Sequence, residues 1–229
     1  MSGSPYQLKR DPYSSHSVIL SQLGEGRGRR ALDVAAADGF LSELLTRQGW
    51  TVTALERDPE QAARARGRCK EVIVADLEDP QVEMGGPYDA IVCGDVLEHL
   101  REPLAALLAL KAKLVPEGII VVSVPNVAHL WMRLSLLAGH FDYSDRGLLD
   151  RTHLRFFTRR TLLDFLRAAG LSVTNLTVTP VPLPLVVPER YHGGWLRIAH
   201  AVNALTARWW KTGLAYQFVA VCRPARSGR

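Results

Sequence analysis

The run Asp95-Val-Leu-Glu98-His99 sets two carboxylates and an imidazole within five residues. On a helical turn, positions 95, 98 and 99 stand at i, i+3 and i+4 and share one face. A second imidazole, His153, lies in Asp150-Arg-Thr-His-Leu-Arg-Phe-Phe. Imidazole titrates near neutral pH, so His99 or His153, with Glu98 beside it, can take a proton from a substrate hydroxyl. The mixed oxygen and nitrogen set Asp95, Glu98, His99 and His153 also suits Mg²⁺, Mn²⁺ or Zn²⁺, which would acidify a bound hydroxyl. The plain alternative is that Glu98 and His99 only cap or line the start of a helix, and no metal is the favoured reading.

Carboxylates recur at strand ends. RALDVA (30–35), WTVTALE (50–56), EVIVAD (71–76) and YDAIVCGD (88–95) read as short buried strands, carrying Asp33, Glu56, Asp76 and Asp95 at or near their ends. Glu56 is placed to accept both hydroxyls of a ribose, which requires a bidentate acceptor. Asp76 can accept a bond from an adenine amino group, and Asp33 from loop amides or a ligand ammonium. Singly, each is as easily a cap or turn residue. Four at successive strand ends form the stronger signal.

The elements that position these groups alternate. Helices are expected over 39–48, 58–68, 103–114, 127–139 and 158–169, with a turn at 116–118 and further strands at 119–125, 171–179 and 215–224. This βαβαβ rhythm implies a parallel sheet with helices on both faces. Ligands of such sheets bind beyond the carboxyl ends of the strands, so Ala35–Gly39, Glu56, Asp76, Asp95 and Asn126 all point to one edge. Residues 140–157 form a long polar and aromatic connection, the kind of loop that carries function.

Composition narrows the classes. With 229 residues, 47% hydrophobic and 22% charged, the chain can bury one substantial core. The net charge of +5 favours acidic partners without naming one. Three cysteines without a Cys-x-x-Cys pair fit reduced thiols. The N-terminus lacks the apolar core of a signal peptide, and no run is long enough to span a bilayer, so a cytoplasmic location is expected.

The segments ALDVAAADG, TALERDPEQA, VIVADLED, YDAIVCGDVLEHLREP and LVPEGIIVVSVPN, covering 30–126, resemble class I S-adenosylmethionine-dependent methyltransferases in order and spacing. The resemblance implies a Rossmann-like α/β fold: seven strands, mostly parallel, with an antiparallel last strand and helices on both faces. It implies a single domain of 1–229, with an N-terminal helical segment 1–29, a cofactor half 30–126, and a substrate-side half 127–229 containing an insertion at 181–214. The family's glycine positions fall on Ala35, Ala37 and Gly39. Glu56, with Arg57 beside it, would hold the ribose, Asp76 and Leu77 the adenine, and Asp95 with Asp33 the methionine end. SVPNVAHLWMRLSLLAGHFDYSDRGLLDRTHLRFFTRRTLLDFLRAAG and AYQFVAVCRP look like a bacterial subgroup associated with glycosyltransferases of polysaccharide biosynthesis, and ubiquinone-pathway O-methyltransferases are more distantly similar. A dinucleotide site would need Gly-x-Gly-x-x-Gly, and Ala35, Ala37 and Phe40 fail it at all three glycines.

The expected activity is O-methylation of a small-molecule, glycan or lipid-linked acceptor, leaving S-adenosylhomocysteine. N-methylation and a non-catalytic cofactor-binding subunit are the alternatives. Asn126, His129, Arg151 and Arg155 are candidate acceptor contacts. No Asn/Asp-Pro-Pro-Tyr or Pro-Cys motif and no aromatic-and-basic stacking platform is present, which argues against nucleic acid. In the insertion, Trp195, Ile198, Val202, Leu205 and Trp209 form one helical stripe. It would pack on its own domain or across a homodimer, or serve as a lid or as a peripheral membrane contact through 195–211 at the inner face of the membrane. Alanine enters the left-handed region poorly, so Ala35 and Ala37 are expected at φ < 0, with Gly39 alone taking the permissive conformation.

Overall fold

The computed structural model describes residues 11–225. Residues 1–10 of the expected N-terminal segment lie outside this range. Seven strands form one sheet: β1 (Arg30–Val34), β2 (Thr51–Glu56), β3 (Glu71–Val74), β4 (Tyr88–Gly94), β5 (Leu114–Pro125), β6 (Leu171–Thr179) and β7 (Gln217–Pro224). Their order is β3-β2-β1-β4-β5-β7-β6. The first five run parallel, and β7 is antiparallel to both β5 and β6.

Pleating sends alternate residues to opposite faces. Leu32, Val34, Ile91, Cys93, Ile120 and Val122 enter one core with Leu107 and Leu110 of α4 (Pro103–Lys111) and Leu162 and Leu166 of α6 (Arg159–Ala168). Their neighbours Ala31, Ala90, Val92 and Val121 enter the other core. There they meet Val18, Ile19 and Leu23 of α1 (Ser15–Leu23) and Leu41 and Leu45 of α2 (Phe40–Arg47). The central strands are therefore apolar on both faces, as the unbroken YDAIVCG run indicates.

Local chemistry sets the helix ends. Asp58 caps α3 (Pro59–Ala65), its carboxylate accepting the Glu60 and Gln61 amides, and Pro59 occupies the first turn. Thr158 and Thr161 make a reciprocal capping box on α6. His129 caps α5 (Leu130–Leu137) through Nδ1, which accepts the Trp131 amide at 3.2 Å.

Three elements depart from the sequence reading. β5 begins at Leu114 and carries Pro116-Glu117-Gly118 as an irregularity, not as a turn before the strand. Its register against β4 jumps from Tyr88↔Leu114 to Ala90↔Ile119. The predicted α3 helix stops early, because Arg66 turns extended and Gly67 takes φ +88°. On α5, which is shorter than the expected helix over 127–139, only Met132 is buried, and Leu134 and Leu137 face outward.

The insertion contains α7 (Leu183–Val186) and α8 (Gly194–Trp209). The predicted stripe on α8 does not pack on its own domain: Trp195, Ile198, Val202, Leu205 and Trp209 are all more than half exposed. The opposite face, Leu196, His200, Ala204 and Ala207, is the buried one. Small residues let that face lie close against β6, and polar bonds hold it there. His200 Nε2 lies 2.7 Å from an Asp11 carboxylate oxygen, and Asn203 Nδ2 donates to the Val181 carbonyl at 2.9 Å. Of the expected settings for the stripe, packing on its own domain is therefore excluded, because polar bonds invisible in the sequence bury the opposite face.

Candidate functional site

The strands deliver their carboxyl ends to one edge, and the loops there are tightly bonded. After β1, residues 35–39 turn under the control of β2. The Ala36 amide donates to the Leu55 carbonyl, and the Ala37 amide to Glu56 Oε2 at 2.8 Å. Glu56 Oε1 accepts the Asp58 amide at 2.9 Å. One buried carboxylate thus ties the loops after β1 and β2 together.

The expected torsions of this loop are wrong. Ala35 has φ +52° and Ala37 φ +48°, alongside Gly39 at +76°. A left-handed alanine costs about 1–2 kcal/mol. The surrounding bonds over-determine the conformation, and such strain concentrates at functional sites. Gly39 has a second constraint: a Cβ there would lie 2.8 Å from Cβ of Ala65, so the close approach of α3 requires glycine. Asp38 stays in place through its 2.8 Å bond from Nε of Arg64.

Asp33 is buried, and Ser42 Oγ donates to its carboxylate at 2.6 Å. Burial pushes its pKa up to about 6, against the Ser42 bonds and with some repulsion from Glu56. Asp76 is exposed and accepts the Glu78 amide in a turn, while Leu77 is half-buried and Arg57 exposed.

Asp95 is a third non-glycine residue near this edge with a positive φ, +56°. Its carboxylate accepts Ser123 Oγ at 2.6 Å and Gln217 Nε2 at 2.9 Å. The sequence reading missed both Ser123 and Gln217. Gln217 opens β7 opposite Pro125, and antiparallel pairing alone brings it to this edge. A polar residue heading the apolar run FVAVC was the available signal.

Because Asp95 turns left-handed and Leu97–His99 forms a 3₁₀ turn, residues 95, 98 and 99 do not share a regular helical face. Among the described residues, the cluster with metal-ligand spacing is Glu98, His99 and His153, whose ligand atoms all lie within 4.8 Å of one another. Asp95 is not in it.

The 140–157 loop builds the other half of the cluster. The Leu154 and Arg155 amides both donate to the Glu98 carbonyl, at 2.7 and 3.0 Å, which clamps the loop onto the 3₁₀ turn. The His99 and His153 rings meet edge to face, with centroids 4.8 Å apart. His99 Nδ1 lies 3.2 Å from the Thr152 carbonyl, and His153 Nδ1 lies 3.3 Å from the Leu148 carbonyl. Protonated Nδ1 atoms satisfy both contacts and leave both Nε2 lone pairs for other work. Burial, then the charge of His99, lowers the His153 pKa below the ordinary imidazole range, which favours the neutral, proton-accepting form. Asp150 orients the pair by accepting Thr152 Oγ1 at 2.6 Å. Burial opposes its ionisation, but the Thr152 bonds and the two imidazoles outweigh it and hold the carboxyl below its usual range.

The four candidate acceptor contacts fall in different settings. Asn126 is fully buried, and its side-chain amide donates to the Ala215 carbonyl at 2.8 Å, joining the end of β5 to the segment between α8 and β7. His129 is also buried, and burial lowers its pKa. Arg151 is exposed and pairs with Asp145, while Arg155 donates to the Arg101 carbonyl. An apolar groove of about 560 Å³ opens between α5 and the loop, walled by Trp131, Met132, Leu134 and Leu149.

Residues 10–176 match the family model described as a methyltransferase domain. The chain is 32% identical over 161 residues to a ubiquinone biosynthesis O-methyltransferase of Xanthomonas axonopodis pv. citri, covering 67% of this chain and 66% of that relative. A protein of the same description from Xylella fastidiosa is 34% identical over 173 residues, covering 72% of this chain and 67% of its own length. The chain thus spans about two thirds of the length of these curated relatives. Among solved structures, magnesium protoporphyrin IX methyltransferase of Synechocystis superposes with a TM-score of 0.61 at 16% identity, covering 91% of this chain and 81% of that one. This likeness establishes the fold.

Two outcomes follow from the loop. Glycine relieves the left-handed strain but adds about 0.5–1 kcal/mol of chain entropy, so Ala35→Gly and Ala37→Gly should each stabilise the protein by roughly 0.5–1 kcal/mol in thermal denaturation. A loss of stability in both would remove the strain. Asp33 has a raised folded pKa, so its charged form opposes folding: stability falls as pH rises from about 4 through about 6. Across that window Asp33→Asn should lose about 2–3 kcal/mol less than the wild type, as measured by urea unfolding. Parallel pH profiles would show that Asp33 is not buried as an acid.

Proposed function

The chain belongs to the S-adenosylmethionine-dependent methyltransferases, and on that footing we propose that it methylates a hydroxyl oxygen of a small-molecule or glycan acceptor, with His153 as general base. The single observation that carries this reading is the edge-to-face His153–His99 pair held at the strand-end edge of the sheet, with burial lowering the His153 pKa.

The residues at that edge fit the cofactor. Glu56 uses each carboxylate oxygen once, on the Ala37 and Asp58 amides, so each retains a lone pair for a ribose hydroxyl. Asp76 and Leu77 suit the adenine, one as acceptor and the other as a half-buried apolar wall, with Arg57 alongside. Asp33 and Asp95 would supply negative charge toward the methionine ammonium, and the 35–39 backbone would border the same ligand. When bound, the cofactor supplies an electrophilic sulfonium methyl.

With the cofactor bound, His153 Nε2 would accept the proton that the acceptor hydroxyl loses when its oxygen takes the methyl group. The displacement is in-line, so the protein's main contribution is alignment. Asp150, Thr152 and His99 orient the base. Asn126 positions the 126–129 segment and the entry to β7, and His129 starts the helix that walls the apolar groove. Arg151 and Arg155, at the loop rim, suit an acceptor phosphate or carboxylate. The apolar groove and the likeness to ubiquinone-pathway enzymes support an acceptor with an apolar portion. The glycan class rests on the resemblance of the second half to the glycosyltransferase-associated subgroup.

A second reading has its own observation: the 4.8 Å cluster of Glu98, His99 and His153 suits a divalent cation. These residues would then hold an ion that acidifies the acceptor hydroxyl.

His153→Ala and His99→Ala should each lower kcat at least tenfold against a panel of phenols and glycans, with cofactor affinity by calorimetry little changed. If neither does, both assignments fail. The wild-type kcat should fall on acidification below the ordinary imidazole range, as His153 gains its proton, and this limb should vanish in His153→Ala. Exhaustive chelation should leave turnover intact, whereas loss restored by Mg²⁺, Mn²⁺ or Zn²⁺ selects the metal reading. Turnover of amines and not hydroxyls would assign N-methylation.

A further inference from the structure

We propose that α8 is an interfacial helix that seats this protein on an anionic lipid bilayer. Its outer stripe is strongly apolar and open. Trp195 is 56% exposed, Ile198 69%, Val202 52%, Leu205 64% and Trp209 86%. Single exposed apolar residues are ordinary, but an aligned stripe of five marks a contact surface. Leu185 and Val186 of α7, which packs against α8, are exposed at 72% and 63% and extend it.

The stripe cannot rotate inward. The opposite face is fixed by the His200–Asp11 and Asn203–Val181 bonds, and Lys211 Nζ donates to the Leu176 carbonyl at 2.9 Å. Indoles stand at both ends of the stripe, and an indole carries an apolar ring with a polar N–H that suits the headgroup boundary.

Charge selects the occupant. Every charged residue after Glu189 is basic, so α8 itself carries no carboxylate and Glu189 is the one acid between α7 and α8. Arg197 and Arg208, about three turns apart, share one exposed flank of α8 between the stripe and the buried face. Long arginine stems can follow the apolar surface while the guanidinium reaches phosphate. A second copy of the chain fits worse. A two-fold contact would bring this patch against itself, placing arginines near arginines with no acid of the stripe to pair them. An anionic bilayer provides both the apolar interior and the opposite charge. Among the described residues no helix is long and apolar enough to cross a membrane, so the contact is peripheral.

Seating α8 would also place the reaction edge near the bilayer. The chain leaves α8 through Thr212 and Ala215, whose carbonyls meet the Asn126 amide, and reaches Gln217 on Asp95. Delivery of a lipid-borne acceptor is a consequence that rests on the methyl-transfer reading; bilayer binding does not.

Flotation of the full chain with phosphatidylcholine vesicles, with and without phosphatidylglycerol, reads the contact without turnover. The expected result is binding to the anionic vesicles that weakens with salt. Ile198→Glu/Leu205→Glu should abolish it while thermal stability and cofactor binding persist, both side chains being exposed. Arg197→Gln and Arg208→Gln should each weaken it by roughly fivefold. Failure to float with either vesicle overturns the proposal, as does unchanged flotation of the double glutamate variant. A wild-type dimer in analytical ultracentrifugation that this variant dissociates, without vesicle binding, would assign the face to a second copy instead.

Discussion

The Glu56 carboxylate is the constraint on which the cofactor edge depends. It lies at the end of β2, and its two oxygens take amides from two different loops. A buried carboxylate must be bonded, because its desolvation is otherwise costly. Backbone amides of the β1 loop and the α3 cap satisfy it, and in doing so they fix the path of residues 35–39. That path demands left-handed torsions at Ala35 and Ala37, residues that accept them only under compulsion. Ligand charge, loop strain and helix capping therefore meet in one side chain.

The substrate side is organised by a backbone group instead. The Glu98 carbonyl accepts two amides from the 140–157 loop, and this clamp turns a long irregular segment into a wall of the site. It sets His153 against His99 and places the Asp150–Thr152 bond beside them. Catalytic groups carried on loops need such fixation, since small misplacements are costly in an in-line transfer. The left-handed turn at Asp95 serves the same end, directing its carboxylate to Ser123 and Gln217 and leaving the imidazole pair separate.

The exposed face of α8 belongs to the same design. The helix is pinned by its polar and small residues and shows its largest apolar ones to the surroundings. Its C-terminal exit is bonded to the strand-end edge through Asn126. An event at the outer stripe is thus one short segment from the site.

By itself the sequence determined the strands, their alternation with helices, the two-faced core and the acids at the strand ends. These depend on periodicity and on residue types that act locally: YDAIVCG is a buried strand in any neighbourhood, and Asp58-Pro59 caps a helix by its own chemistry. Tertiary structure decided the rest. The signs of φ at Ala35 and Ala37 follow from a carboxylate on another strand, so alanine's intrinsic preference misled. Gln217 reaches Asp95 only because β7 runs antiparallel. The sequence left open whether the α8 stripe faces inward or outward, because periodicity reveals that a helix has an apolar face, whereas the bonds available to the opposite face decide which one is buried. Local preference writes the elements, and long-range hydrogen bonds choose their torsions, partners and orientation.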